Sequence, residues 1–79
     1  MKEFYVCGRY AVTRVWEKDG EAVRRKREHG FNRHVRDRDA ESAGKKVTES
    51  IRKKSETQSH FAKMESFEVT ELMVFERVI

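Results

Sequence analysis

The sequence predicts an α+β fold: a small antiparallel sheet of three to four strands (β-β-β-α-β) with one helix packed on one face. Three observations carry that expectation. Both ends of the chain alternate apolar and polar residues with the period of a strand. The middle places Ala40, Ala43, Val47 and Ile51 at helical spacing behind Asp39. No proline interrupts any segment. The 79 residues allow one domain, 1–79. Charged residues make up 41% and hydrophobic residues 37%. A domain this size buries only roughly 60–65% of its unfolded surface. Its core must therefore come from the aromatic and β-branched clusters, which argue against disorder.

The first element is "EFYVCGRYAVTRVW". Phe4, Val6, Tyr10, Val12 and Trp16 share one face with Gly8, and Tyr5, Cys7, Ala11 and Val15 share the other. Apolar residues on both faces indicate a central strand, or one whose second face is covered, and Gly8 marks a bulge or a close backbone approach. Asp19-Gly20 is a hairpin-turn signal, since a type I′ turn needs positive φ at both central residues. "EAVRRKRE" returns as a charged edge strand, with a loop or a short charged helix as alternatives. His29-Gly30 reads as a second turn. "FNRHV" then forms a third short strand, with Phe31, Arg33 and Val35 on one face and Asn32 and His34 on the other.

Asp39 is a preferred N-cap residue, and Glu41 suits the positive end of the helix dipole. Gly44 permits close contact with the sheet, and Glu49 stands four residues before Lys53 as a supporting pair. The helix fades after Ser55 within "SETQSH". "ESFEVTELMVFERVI" closes the chain as a second long strand, paired with the first near the sheet centre. Its regular alternation puts Phe67, Val69, Met73 and Phe75 on one face and Leu72, Val74 and Val78 on the other.

Catalytic and metal chemistry find little footing in this sequence. Glu65, Glu68, Glu71 and Glu76 read as the solvated side of a strand, with no acid–base pair assembled. His29 and His34 have a zinc-compatible gap but no cysteine pair, and His60 stands apart. Cys7 is the only cysteine, which fits a buried small hydrophobe in a reduced cytoplasmic protein. No cofactor motif is present. No apolar run reaches the ~20 residues of a membrane span, and the start has no secretory pattern. These features point to a non-enzymatic protein that needs neither metal nor cofactor.

The net charge of +4 is concentrated in "RRKREHGFNRHVRDR", residues 24–38, which holds seven basic and two acidic residues. Arg24, Arg25, Lys26, Arg27, Arg33, Arg36 and Arg38 offer guanidinium forks and an ammonium to phosphate. Phe31 interleaves with them as a ring for an unpaired base, with His29 and His34 beside it. Lys45, Lys46, Arg52, Lys53 and Lys54 extend the field if the helix lies alongside. Strand alternation divides the cations, with Arg25 and Arg27 on one face and Arg24 and Lys26 on the other. The expected function is binding of nucleic acid or a nucleoprotein complex through a basic β-hairpin face. The competing reading is a charge run that only solvates a small fold. A homodimer joined through a sheet edge is a further expectation.

The order of "KEFYV...AVTRVWE", "RDRDAESAGKKV" and "FEVTELMVFERV" resembles that of small bacteriophage accessory proteins, in which a strand and a D/E-A-x-x-A helix precede a final strand. Some such proteins are anti-CRISPR inhibitors. The resemblance implies an inhibitor that binds a host or defence protein complex and blocks its nucleic-acid-binding surface, in the host cytoplasm. It lies in the order of elements and assigns no residue. The chain lacks the strongly acidic balance of a DNA mimic.

Overall fold

Two strands of 17 residues, β1 (Lys2–Lys18) and β2 (Glu21–Asp37), form one long hairpin around Asp19-Gly20. Both turn residues have positive φ, 52° and 81°, as the two-residue turn requires. A helix, α1 (Ala40–Thr57), follows, and then a strand, β3 (Lys63–Glu76). The sheet is antiparallel in the order β2-β1-β3, with α1 packed on one face. The computed structural model describes residues 1–58 and 62–78. His60 and Ile79 lie outside the described residues.

The α+β class holds, with three strands in the order β-β-α-β. The expected turn at His29-Gly30 does not form. β2 runs straight through it, pairing His29 with Tyr10 and Gly30 with Arg9. The tight turn fixes the register at Lys18 and Glu21, and the ladder continues without a slip to Lys2 and Asp37. Gly30 has no positive φ, so it behaves as a strand residue.

The alternation expected for the closing strand is also corrected. The β1–β3 register shifts between Arg9 and Tyr10 and again between Thr13 and Arg14. At the first shift Thr70 is the extra residue, and its hydroxyl donates to the Arg9 carbonyl at 3.3 Å. A bulge exchanges the faces of everything beyond it. Phe67 and Val69 therefore join Leu72 and Val74 on the helix side, while Met73 and Phe75 turn to the opposite, open face. Gly8 faces Leu72 beside this bulge, and a Cβ on it would fall 1.9 Å from the Glu71 carbonyl oxygen.

Phe4, Val6 and Phe31 from the hairpin meet Ala43, Val47 and Ile51 from α1 to form the core, with Tyr10, Val35, Phe67 and Val74 packed around it. Gly44 brings the helix close to Leu72 and Val74. Glu49 pairs with Arg52 rather than with Lys53, and Arg52 also grips Glu56. A guanidinium has enough donors to hold two carboxylates, each about one turn away on either side, whereas an ammonium is a single point charge.

The N-cap of α1 carries a pH prediction. The Asp39 carboxylate accepts from the Ser42 backbone N–H at 2.8 Å. That bond holds its pKa below the ordinary carboxylate value, assisted by the Ser42 side chain and by Arg38. On acidification the unfolded chain takes up this proton first. The cap's contribution is complete above the ordinary value and is lost as pH falls through the folded one. Asp39→Ala is expected to lower the melting temperature at neutral pH, and the gap to wild type should shrink on acidification. Thermal unfolding followed by circular dichroism from neutral to acid pH checks this.

Candidate nucleic-acid interface

The site follows from a mismatch of lengths. A 17-residue strand extends about 56 Å at ~3.3 Å per residue, and the molecule's long axis is 56 Å. An 18-residue helix reaches only ~27 Å. α1 starts beside the far end of β2 and so covers the part of the sheet remote from the turn. Its last turn stops level with Tyr10 and Arg14. Past that point α1 no longer covers the helix-side face of the hairpin, although Val12 there is 3% exposed.

What lies on the stretch beyond the helix end is fixed by register. β1 places Tyr10, Val12, Arg14 and Trp16 there, and β2 sets His29, Arg27, Arg25 and Val23 opposite them in turn. A cavity of about 260 Å³ opens among these side chains, closed at one side by Ser55 and Gln58 of the helix end. Among the described residues no acidic one lines it. A second hollow shares Tyr10, Ser55 and Gln58 and continues past Arg33 and Lys54. The two form one groove between α1 and the edge strand.

Arg14 anchors the wall of the cavity. Its Nη2 donates to the Ser55 carbonyl at 2.7 Å, satisfying an otherwise free acceptor in the last helical turn. Its Nη1 is buried and has no acceptor among the described residues. A buried unsatisfied donor costs about 1–3 kcal/mol, more when charged. Arg14 also lies directly opposite Arg25, and like charges in a cross-strand pair repel.

The opposite face handles its cations differently. Arg24 is held by both oxygens of Glu65 at 3.0 Å, Arg9 lies 3.7 Å from Glu28, and Arg36 lies 3.5 Å from Glu3. Among the described residues, none of Arg14, Arg25, Arg27, Arg33 and Lys54 has an ion-pair partner. Three arginines of the open face are thus paired with carboxylates, although Lys26 there has no ion pair among the described residues, and the groove's cations have none.

The expected site residues separate accordingly. Arg25, Arg27 and Arg33 line the groove. Arg24, Lys26 and Arg36 are on the open face. Arg38 is tied at the N-terminal end of α1, with Ser42 and Asp39 as neighbours. Lys46 is exposed on α1, about 80° around the helix from Lys54, and lines neither hollow. Lys45 pairs with Glu41 and lies beside β3, away from the groove. Phe31 is core, 9% exposed beneath the helix, and is not placed to stack on a base. His29 lines the cavity with its ring 5.2 Å from that of Tyr10, whereas His34 stands on the open face against Tyr5.

Among the groove residues that were not expected at the site are Tyr10, Arg14 and Trp16. The alternation of β1 and the Asp19-Gly20 turn were the signals that could have found them. Together they place Arg14 against Arg25 and Trp16 against Val23.

Among the described residues no cluster of three or more His, Cys, Asp or Glu is arranged to hold a metal ion. No helix there is long and apolar enough to cross a membrane. No protein-family model matches the chain, and no curated protein or solved structure is significantly similar to it.

Proposed function

We propose that the protein is a cytoplasmic, non-enzymatic module that binds single-stranded nucleic acid, free or within a nucleoprotein complex, in the groove between α1 and β2. The observation that carries this reading is the segregation of charge. Among the described residues Arg25, Arg27 and Arg33 have no carboxylate partner on the groove side, while Arg9, Arg24 and Arg36, though not Lys26, are paired with carboxylates on the other. A charge run serving solubility alone gives no reason for that division. Tyr10 and Trp16 line the same cavity. Their rings favour unpaired bases, because stacking requires an exposed base face.

Phosphate contacts release counterions. Five of them, from Arg14, Arg25, Arg27, Arg33 and Lys54, give a slope of log affinity against log salt of about −3.5 on a single strand. A mobility-shift series with single-stranded DNA, RNA and duplex at rising salt tests the reading. Single strands are expected to bind more tightly than duplex, with this steep dependence. No shift with micromolar protein at low salt would refute it.

A second reading has its own observation. Tyr5, Met73 and Phe75 are adjacent on the open face and are 40%, 41% and 54% exposed. Exposed aromatic and Met surface suits a protein partner. This is where a phage-encoded inhibitor of the anti-CRISPR type would grip a host or defence complex. Capture from a nuclease-treated bacterial lysate separates the two readings: partners that survive nuclease and are lost with Phe75→Glu favour the inhibitor. A homodimer through a sheet edge has less support, since β2 is densely charged and β3 is broken by two register shifts.

A further inference from the structure

We infer that the cavity at the end of α1 is a phosphate site for one nucleotide, formed by Arg14, Arg25 and Arg27 with Trp16 and Tyr10 beside the base; this deepens the nucleic-acid reading and rests on it. Three separate features of the cavity ask for the same ligand. Arg14 Nη1 is a buried cationic donor with no acceptor, while Nη2 of the same guanidinium is fixed on the Ser55 carbonyl. Arg14 and Arg25 are directly opposed across the ladder, and Arg27 follows on the same face. Among the described residues no carboxylate lines the space between them. A tetrahedral oxyanion supplies several acceptors at once. It can satisfy the free edge of Arg14 and offset the repulsion between the opposed arginines, where a single chloride offers no directed set of lone pairs.

The cavity also limits what accompanies the phosphate. At about 260 Å³ it lies just below the ordinary range for small-ligand pockets, so it suits one nucleotide unit rather than a folded ligand. The half-buried Trp16 and Tyr10 occupy the wall next to the arginines. Phosphate and an adjoining base therefore have complementary walls within one hollow. The phosphate is either the terminal group of a strand or an internal diester, and both present the same oxyanion chemistry.

Trp16 is the only tryptophan, so its fluorescence reports occupancy of this cavity directly. The full-length chain is titrated with inorganic phosphate, with thymidine monophosphate, and with thymidine oligonucleotides bearing or lacking a 5′-phosphate. Sodium chloride at matched ionic strength is the reference. The monophosphate should give a saturable change in Trp16 emission that chloride does not reproduce. Arg25→Gln, an exposed substitution that leaves the core intact, should weaken it by about tenfold, the loss of one charged contact. Arg14→Lys should weaken it similarly while keeping a donor for Ser55. A 5′-phosphorylated oligonucleotide binding more tightly than the hydroxyl form identifies a terminal phosphate, and equal binding identifies an internal diester. Oligonucleotide binding with no saturable response to phosphate or monophosphate would overturn the phosphate site and leave the broader reading standing. Monophosphate binding without oligonucleotide binding would support the site and remove the broader reading.

Discussion

Arg25→Glu combined with Arg27→Glu should weaken single-stranded nucleic-acid binding at least a hundredfold, whereas Arg24→Glu with Lys26→Glu should change it less than about threefold. Each charge-assisted contact is worth about 1.5 kcal/mol at the low end, so losing two costs ~3 kcal/mol, about a hundredfold. The salt slope should flatten from about −3.5 to about −2, because two fewer counterions are released. The two pairs interleave in sequence and are equal in charge, so net charge alone predicts equal losses. They differ in direction. Arg25 and Arg27 project with Arg14 into the groove, while Arg24 is clasped by Glu65 on the other side. Anisotropy titrations of a labelled oligonucleotide at several salt concentrations provide both affinity and slope. Equal effects from the two pairs would reduce the basic stretch to a diffuse field.

The largest expected loss of stability is at Gly8. Gly8→Ala should destabilise the fold by about 3 kcal/mol, the upper end of ordinary overpacking. The added Cβ would sit 1.9 Å from the Glu71 carbonyl oxygen, 2.8 Å from its carbon and 3.1 Å from the Leu72 Cα. All three are backbone atoms, so no side chain can rotate away. The strand must shift or the bulge at Thr70 must rearrange. For a domain of this size the melting temperature should drop by more than about 10 °C. Gly30→Ala is the matched control in the same sheet. Its nearest neighbour would be the Gly8 carbonyl at 3.9 Å, an ordinary contact. With no positive φ to strain, it should be neutral or stabilise by up to about 1 kcal/mol. Thermal and urea unfolding of the two variants distinguish a specific clash from a general need for glycine.

The contrast between these glycines shows how much of the fold was legible in the sequence. Asp19-Gly20 was readable because a two-residue turn demands backbone angles that few residue pairs accept. His29-Gly30 has a similar appearance but sits inside an unbroken ladder, where the register set at the first turn overrides local turn propensity. The helix was readable from Asp39 and the Ala43, Val47 and Ile51 stripe, since cap and periodicity agreed. The bulge at Thr70 was not readable. A threonine within a run that alternates acidic and apolar residues carries no mark of being the unpaired one, and regular alternation then put Met73 and Phe75 on the wrong side.

The site was legible in part for the same reasons. Period-two alternation separated Arg25 and Arg27 from Arg24 and Lys26, and the structure puts those pairs on opposite faces. Which arginines are matched by carboxylates depends on distant acids, such as Glu65, 41 residues from the Arg24 it binds, and pairing at that distance leaves no local trace. Phe31 looked like a stacking ring because it stands among cations. It is buried because the helix, short relative to the hairpin, covers that half of the sheet and leaves Trp16 uncovered instead.

The most direct measurement of the central claim is an NMR titration of the isotope-labelled protein with a single-stranded oligonucleotide, following backbone amides, arginine Nε–H groups and the Trp16 indole N–H. The account predicts shifts concentrated at Arg14, Trp16, Arg25, Arg27, Arg33 and Lys54, with Arg24, Lys26 and Arg36 nearly unmoved. Shifts confined to the Tyr5, Met73 and Phe75 face, or no shifts under low-salt conditions, would contradict it.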